Sequence, residues 1–172
     1  MSTSTPANPL PLEGLTVVEL GTSLAAPYAA MVLAEMGAKV VKIESPKGGD
    51  PARQWGPPVS EGNSITFQAV NRDKLSVAVD LADQEARAAL RDYICEHADV
   101  CLQNMRPGAV EKLGLDGPTL LARNPGLVYC NMGAYGPKGD LSSLPGYDPL
   151  MQAFTGICHV TGPKDGDPCR VG

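Results

Sequence analysis

Few side chains in this sequence are both chemically able and placed where chemistry could use them. Among the carboxylates, Glu44 closes the apolar run Lys39-Val-Val-Lys-Ile-Glu44, and Asp148 follows Gly146-Tyr147 at a loop-to-helix junction. Acid/base work is open to such groups, but a helix-capping role is chemically sufficient for Asp148 on local grounds. The histidines, His97 and His159, are far apart. His97 ends a helical segment beside Asp99, where a solvated positive charge near the helix C-terminus is the expected role; His159 stays open. No Ser-His-Asp order and no GxSxG elbow occurs, which lowers a hydrolase reading. The cysteines, Cys95, Cys101, Cys130, Cys158 and Cys169, form no CxxC pair and have no His at zinc-site spacing. Neither a disulfide framework nor a metal site is expected. Cys95, Cys101 and Cys130 sit in apolar runs and read as small core residues, whereas Cys158 and Cys169 lie in turn-rich sequence. There is no GxGxxG and no GxxxxGK[ST], so a standard dinucleotide fingerprint or P-loop is unsupported. The first strand-to-helix turn, Glu19-Leu-Gly-Thr-Ser-Leu-Ala-Ala-Pro27, is rich in small residues instead. Such a turn lets backbone N–H groups approach an anionic or polar ligand at a helix N-terminus. Close packing alone would also demand it, and on this segment taken by itself packing is the favoured reading.

The elements that must position these groups follow from the hydrophobic pattern. Residues 15–20 read as a strand closed by Gly21, residues 25–36 as a helix with Pro27 in its first turn and Gly37 as its stop, and residues 39–44 as a second strand. Strand, helix and strand in this order make a βαβ unit with parallel strands. Residues 45–64 then hold eight glycines and prolines together with the single Trp, a long irregular excursion of the kind that is usually functional or disordered. Regularity returns with a strand over 76–81, a helix over 83–97 capped by Asp83, and a strand over 99–103. Short helices after Pro107-Gly108 to residue 113 and over 119–123, a fifth strand over 126–132, a loop over 133–146 and a helix over 148–157 with Pro149 in its first turn complete the pattern. Strands separated by helices specify an α/β doubly wound fold, a mostly parallel sheet with helices on both faces. Ligands of such sheets bind beyond the carboxyl ends of the strands. The segments leaving those ends, 21–26, 45–55, 104–108 and 133–148, hold most of the special residues.

Composition bounds the function class. The 172 residues are 43% hydrophobic, 19% charged and 5% aromatic, enough for roughly one globular domain. A net charge of -5 with no basic run removes the electrostatic footprint of a nucleic-acid partner. No apolar run approaches the roughly 18 residues of a membrane span. The leader MSTSTPANPLPLEG lacks the basic and apolar regions of a secretory signal, so a mobile arm over residues 1–11 and a cytoplasmic location are expected. No internal repeat or low-complexity tract is present.

Eight motifs share one order with a known family. They are Leu12-Glu-Gly-Leu-Thr-Val-Val-Glu-Leu20, Gly37-Ala-Lys-Val-Val-Lys-Ile-Glu44, Gly49-Asp50, Asn71-Arg-Asp-Lys-Leu-Ser-Val-Ala-Val-Asp-Leu81, Ala98-Asp-Val100, Asn104-Met-Arg-Pro-Gly-Ala-Val-Glu-Lys-Leu-Gly-Leu115, Asn124-Pro-Gly-Leu-Val-Tyr129 and Gly146-Tyr-Asp-Pro-Leu-Met-Gln-Ala-Phe-Thr-Gly156. From about Leu10 to the last residue the chain resembles the class III CoA-transferases, a family that includes formyl-CoA and carnitine CoA-transferases and the α-methylacyl-CoA racemases. The resemblance implies a Rossmann-like large domain, a small domain, and two subunits interlocked as rings in a homodimer. It implies coenzyme A, presented as an acyl-CoA, and a carboxylic acid as the partners, with no metal. Transferase members pass CoA from donor to acceptor through an acyl anhydride and an enzyme–CoA thioester on one Asp. A carboxylate is a poor nucleophile, but its anhydride is attacked readily by a thiolate, so covalent catalysis divides one difficult exchange into easier steps.

Carried over by motif, Leu24 and Ala25 occupy the CoA-contacting first turn, with Leu24 where some members have Gln, which implies a more apolar acyl pocket. Ser45 stands where relatives often carry an Arg for a CoA phosphate. Val79, Asp80, Leu81 and Ala82 match a nucleotide-side segment, Ala82 replacing a basic residue of some relatives. Asn104, Met105 and Arg106 match the CoA-binding turn after the fourth strand, and Lys112 a basic residue that contacts the CoA phosphates. Trp55 falls where formyl-CoA transferases place a pocket Trp, and Tyr147 with Asp148 matches a Tyr-acid pair at the acyl end. The racemases have Gly-His-Asp where this chain has Gly146-Tyr147-Asp148, which argues against racemase activity. The family nucleophile lies a few residues beyond a Pro-x-Arg-x-Gly stretch, here Pro168-Cys-Arg-Val-Gly172. A nucleophilic Asp is therefore expected past Gly172, with no catalytic residue inside these residues. On this reading 12–172 is the N-terminal CoA-binding α/β part of such an enzyme, truncated before its nucleophile, without the small domain and inactive alone. The alternatives are a non-catalytic CoA- or nucleotide-binding module and a subunit completed by another chain.

Overall fold

In the computed structural model, which describes residues 9–56, 58–60 and 63–171, strand β1 (Thr16–Glu19) buries Val17 and Val18 on opposite faces. A strand covered on both sides must be apolar on both sides. Helix α1 (Ala25–Glu35) leaves β1 through a short turn and returns the chain to β2 (Lys39–Glu44), parallel to β1 with Val17 opposite Val40. Gly37 at φ 103° ends α1 in the left-handed conformation that a helix stop favours. A 3₁₀ turn (Pro51–Gln54), a short antiparallel pair β3 (Pro58–Ser60) and β4 (Asn63–Ser64), and helix α2 (Ile65–Val70) lead to β5 (Lys74–Ala78). Helix α3 (Gln84–His97), β6 (Val100–Gln103), α4 (Ala109–Leu113), α5 (Gly117–Leu121) and β7 (Val128–Asn131) follow.

The five long strands form one parallel sheet in the order β5-β2-β1-β6-β7. Strand order reverses between β1 and β6, so the topological switch point of this doubly wound sheet lies there. One face packs Val17, Val40 and Leu102 against Ala30 and Ala34 of α1. The other packs Val18, Leu20, Val41 and Ile43 against Leu90 and Ile94 of α3 and Leu120 of α5. Asp83 caps α3 as expected, its carboxylate accepting from the N–H groups of Glu85 (2.8 Å) and Ala86 (3.2 Å).

The structure departs from the sequence reading at element boundaries. Helix α2 was not expected; its signal is Ser64, whose hydroxyl accepts from the Phe67 N–H at 3.0 Å, but the helix is too short to show a period. The third long strand runs over 74–78 rather than 76–81, because it ends level with β2, Glu44 pairing with Ala78. Val79 makes the last bond, its N–H to the Glu44 carbonyl at 2.9 Å, and the chain then turns into α3. Helix α5 starts two residues earlier than expected, at Gly117, because Asp116 caps it and Pro118 fits its first turn. The expected arm over 1–11 falls mostly outside the described residues, but Leu12 is held by its N–H to the Met36 carbonyl at 2.9 Å.

The described residues divide into two compact units, one reaching to Met105 and including Ala109–Met132, the other comprising Arg106–Gly108 and residues 133–171. The second unit has helices α6 (Asp148–Thr155) and α7 (Ile157–Val160). A single helix over 148–157 was expected, and Gly156 at φ 80° breaks it in two. Gln152 of α6 clamps the chain end: its Nε2 donates to the Val171 carbonyl at 2.7 Å, and its Oε1 accepts from the Val171 N–H at 2.8 Å.

Candidate functional site

Three strands deliver their carboxyl ends to the switch point, and the turn after β1 is held from three directions. Lys42 of β2 donates from Nζ to the Gly21 carbonyl at 3.0 Å. Asn104, just past β6, accepts from the Thr22 N–H and donates to the Thr22 carbonyl, both at 2.9 Å. Asp50, in the loop after β2, accepts from the Ser23 N–H at 3.0 and 3.2 Å. Ser23 sits at φ 69°, a left-handed conformation that non-glycine residues adopt at a cost. Gly21 is demanded by packing: a Cβ there would lie 2.2 Å from the Ala26 Cβ. Helix α1 starts directly beyond this turn, with no side-chain cap at Leu24.

Beneath the turn lies a buried ionic network that the sequence reading did not identify. Glu19, Lys42 and Asp50 are 0%, 1% and 1% exposed. Lys42 Nζ lies 2.7 Å from Glu19 Oε1 and 2.9 Å from Asp50 Oδ2, and Lys74 Nζ lies 2.8 Å from Glu19 Oε2. Lys74 also donates to the Pro27 carbonyl at 2.7 Å and to Asn71 Oδ1 at 2.9 Å. Glu44 accepts from Arg53 Nε (2.8 Å) and Nη2 (2.7 Å), from the Ser76 hydroxyl (2.6 Å) and from the Asp50 N–H (2.9 Å). Burial pushes the Glu44 carboxyl up, but the bonds from Arg53, Ser76 and the Asp50 amide, with the Arg53 charge, outweigh it and hold the group at about 2. Burial draws the Lys74 ammonium below its usual range against the pull of Glu19. Among the described residues every buried side-chain nitrogen and oxygen has a partner, which such a network needs to be tolerated. The sequence does carry a trace of it: Glu19 and Lys42 are charged residues set directly after the apolar pairs Val17-Val18 and Val40-Val41.

The other sequence-predicted residues take distinct places. Leu24, Ala25, Ser45 and Trp55 are exposed around the turn and the loop after β2. Asp80 Oδ1 accepts from the Ala82 N–H at 2.9 Å, and Arg87 Nη1 donates to the Leu81 carbonyl at 2.7 Å, so the Val79–Ala82 segment is a fixed turn. Val79 and Asp80 stand at one end of an open, mostly apolar groove of about 520 Å³ on the α3 face. Leu75 and Val77 line it because β5, at the sheet edge, extends beyond the cover of α3. Met105 gives its N–H to the buried Gln103 Oε1 at 2.7 Å. Lys112 is exposed on α4. Glu44, weighed above as a reactive carboxylate, is instead committed to Arg53 and Ser76.

In the second unit, Arg106 donates from Nη2 to the Tyr147 hydroxyl at 3.3 Å. The expected capping role of Asp148 is not observed. Tyr147 holds the cap position, and Asp148 is the first helical residue, its Oδ2 accepting from Gln152 Nε2 at 2.7 Å. His97 is exposed beside Glu96, and His159 is exposed on α7. Cys101 is fully buried, and desolvation pushes its thiol up to about 12. Among the described residues no cluster of His, Cys, Asp and Glu could hold a metal ion, and no helix is long and apolar enough to cross a membrane.

Comparison with known proteins gives the family and the fold. The model of CoA-transferase family III matches residues 12–172. The chain is 40% identical over 164 residues to the succinyl-CoA:glutarate CoA-transferase of Mus musculus, covering 94% of this chain and 37% of that protein. It is 39% identical to the acetyl-CoA:oxalate CoA-transferase of Acetobacter aceti, covering 100% of this chain and 44% of that protein. A crystal structure of a CaiB/BaiF family protein from Brucella suis superposes with a TM-score of 0.89 at 40% identity, over 96% of this chain and 44% of that one. The chain thus spans less than half the length of these relatives. With its parallel sheet, its eight motifs and a family match that begins at Leu12, this chain belongs to CoA-transferase family III.

Proposed function

We propose that this chain supplies the CoA-binding α/β part of a CoA-transferase that moves CoA from an acyl-CoA donor to a carboxylic acid. The observation that carries the reading is the family match over residues 12–172. On this reading the turn after β1, with Leu24 and Ala25, and the segments holding Ser45, Trp55, Val79–Ala82, Asn104, Met105 and Lys112 contribute CoA contacts from the first unit. Arg106, Tyr147 and Asp148 are, taken by themselves, the acyl-CoA contacts proposed for the second unit. The residues of the first unit suit the chemistry of the ligand: the groove beside Val79 offers apolar surface, helix α1 opens with no side-chain cap at Leu24, a helix start that suits an anionic group, and Lys112 offers an exposed cation.

The reaction belongs to an Asp expected past Gly172. Its carboxylate attacks the thioester carbonyl, giving a mixed anhydride and releasing the CoA thiolate. The thiolate then attacks the enzyme-side carbonyl, giving the enzyme–CoA thioester and the free donor acid, and the acceptor acid reverses both steps. What the present residues do is bind and orient the CoA moiety.

The test uses the protein that carries this chain in full, with succinyl-CoA or acetyl-CoA as donor and glutarate or oxalate as acceptor. Exchange, with hydroxylamine trapping an acyl group on the enzyme, is the expected result. CoA binding without exchange or trapping overturns the transferase reading in favour of a binding module. Exchange that appears only on adding a second polypeptide supports a split enzyme instead. Asn104→Ala is expected to weaken CoA binding more than Asp148→Ala, because Asn104 holds the turn at Thr22; the reverse order places the CoA site elsewhere.

A further inference from the structure

Three consecutive residues of the turn after β1 have backbone atoms bound by side chains from other parts of the first unit. Asn104 takes Thr22, but the other two anchors, Lys42 on Gly21 and Asp50 on Ser23, come from the buried network and are themselves ion-paired at 2.9 Å. Asp50 is a hub: Oδ1 also accepts from the Ala52 N–H at 2.9 Å, and its own N–H donates to Glu44. We infer that Lys42 and Asp50 are positioning residues for acyl-CoA binding, holding Gly21–Ser23 rigid so that the turn meets its ligand already in shape. This rests on the reading of the turn as a CoA contact.

The physical case has two parts. A non-glycine residue at φ 69° relaxes unless its surroundings hold it, and for Ser23 the hold is the Asp50 carboxylate. A carboxylate hydrogen bond in a buried site is worth more than a neutral one, and removing the ordering step from binding raises affinity. Core packing alone would not put charges here. An apolar pair in place of Lys42 and Asp50 would fill the same volume, but it could hold neither the Gly21 carbonyl nor the Ser23 N–H.

The experiment uses the full protein and compares Asp50→Ala with Asp50→Asn. The asparagine keeps the volume and an acceptor for Ser23. Amide hydrogen exchange of the peptide spanning residues 21–24, without ligand, reports the turn directly, and calorimetry with CoA, well below the melting temperature, reports binding. Asp50→Ala should raise exchange at Ser23 and weaken CoA binding by about ten- to a hundredfold. Asp50→Asn should stay within about threefold of the original affinity even where its melting temperature falls. A purely structural role would lower both melting temperatures and leave both affinities unchanged, and that result overturns the inference. Should Asp50→Ala fail to fold, rapid exchange at Ser23 in the unmodified protein, or in Asp50→Asn, overturns it equally. If the unmodified protein does not bind CoA, the functional reading fails, while the exchange comparison still decides whether Asp50 holds the turn.

Discussion

At the scale of single residues, the decisive fact is that charged side chains are buried in compensating sets. Glu44 shows the consequence for pH. Its carboxyl is held at about 2 in the folded chain against an ordinary value of 4.5. Because the folded value lies below the unfolded one, its contribution to stability is fully present above pH 4.5 and is lost as pH falls toward 2. Denaturant unfolding across that window should show the folded state weakening, and Glu44→Gln should flatten this part of the curve. The same variant should lower stability at neutral pH by about 2 kcal/mol, since the buried ion pair of Glu44 with Arg53 is then lost. A curve that keeps its slope in Glu44→Gln would place the acid sensitivity in another group. Glu44 was legible in the sequence as a carboxylate at a strand end, but its partners Arg53 and Ser76 lie nine and 32 residues away. A one-dimensional reading sees the charge and not its neutralisation.

At the scale of elements, α6 is defined less by its apolar face than by one amide. Gln152 is buried, and it binds Asp148 within the helix, both backbone groups of Val171, and the Cys158 thiol at 3.8 Å. The last described residue is thereby tied to the middle of α6. Gln152→Ala removes two backbone anchors worth about 1 kcal/mol each, and limited proteolysis over residues 163–171 should quicken by about tenfold. Gln152→Glu, which keeps one acceptor but sets a second carboxylate against Asp148, should be cleaved faster than the original as well. Unchanged cleavage in both variants would show that Gln152 does not secure this segment. The helix itself was legible, with Pro149 in its first turn. The break at Gly156 was not, because a glycine within an apolar run is compatible with continuation or arrest.

At the scale of the whole molecule, the two units differ in kind. The first has a parallel sheet with a core on each face. In the second, Gln152 is the one buried side chain among the described residues. Local stability follows buried contact, so amides of β1, β2 and β6 should exchange slowest. Those of residues 133–171 should exchange faster by about two orders of magnitude or more. Equal protection in both units, read by mass spectrometry on the intact chain, would contradict this division.

The sequence by itself determined the parallel α/β sheet, the βαβ opening, the places where the chain leaves β1, β2, β6 and β7 to within a residue, and the family. Periodicity and motif order are local properties of a chain, and they survive without coordinates. Tertiary structure alone decided the switch point between β1 and β6, the groove beside the uncovered edge of β5, and the grip of Lys42, Asp50 and Asn104 on Gly21–Ser23. Each of these depends on residues 20 or more positions apart meeting at atomic distance. Strand order, which brings them together, is set by how whole elements pack.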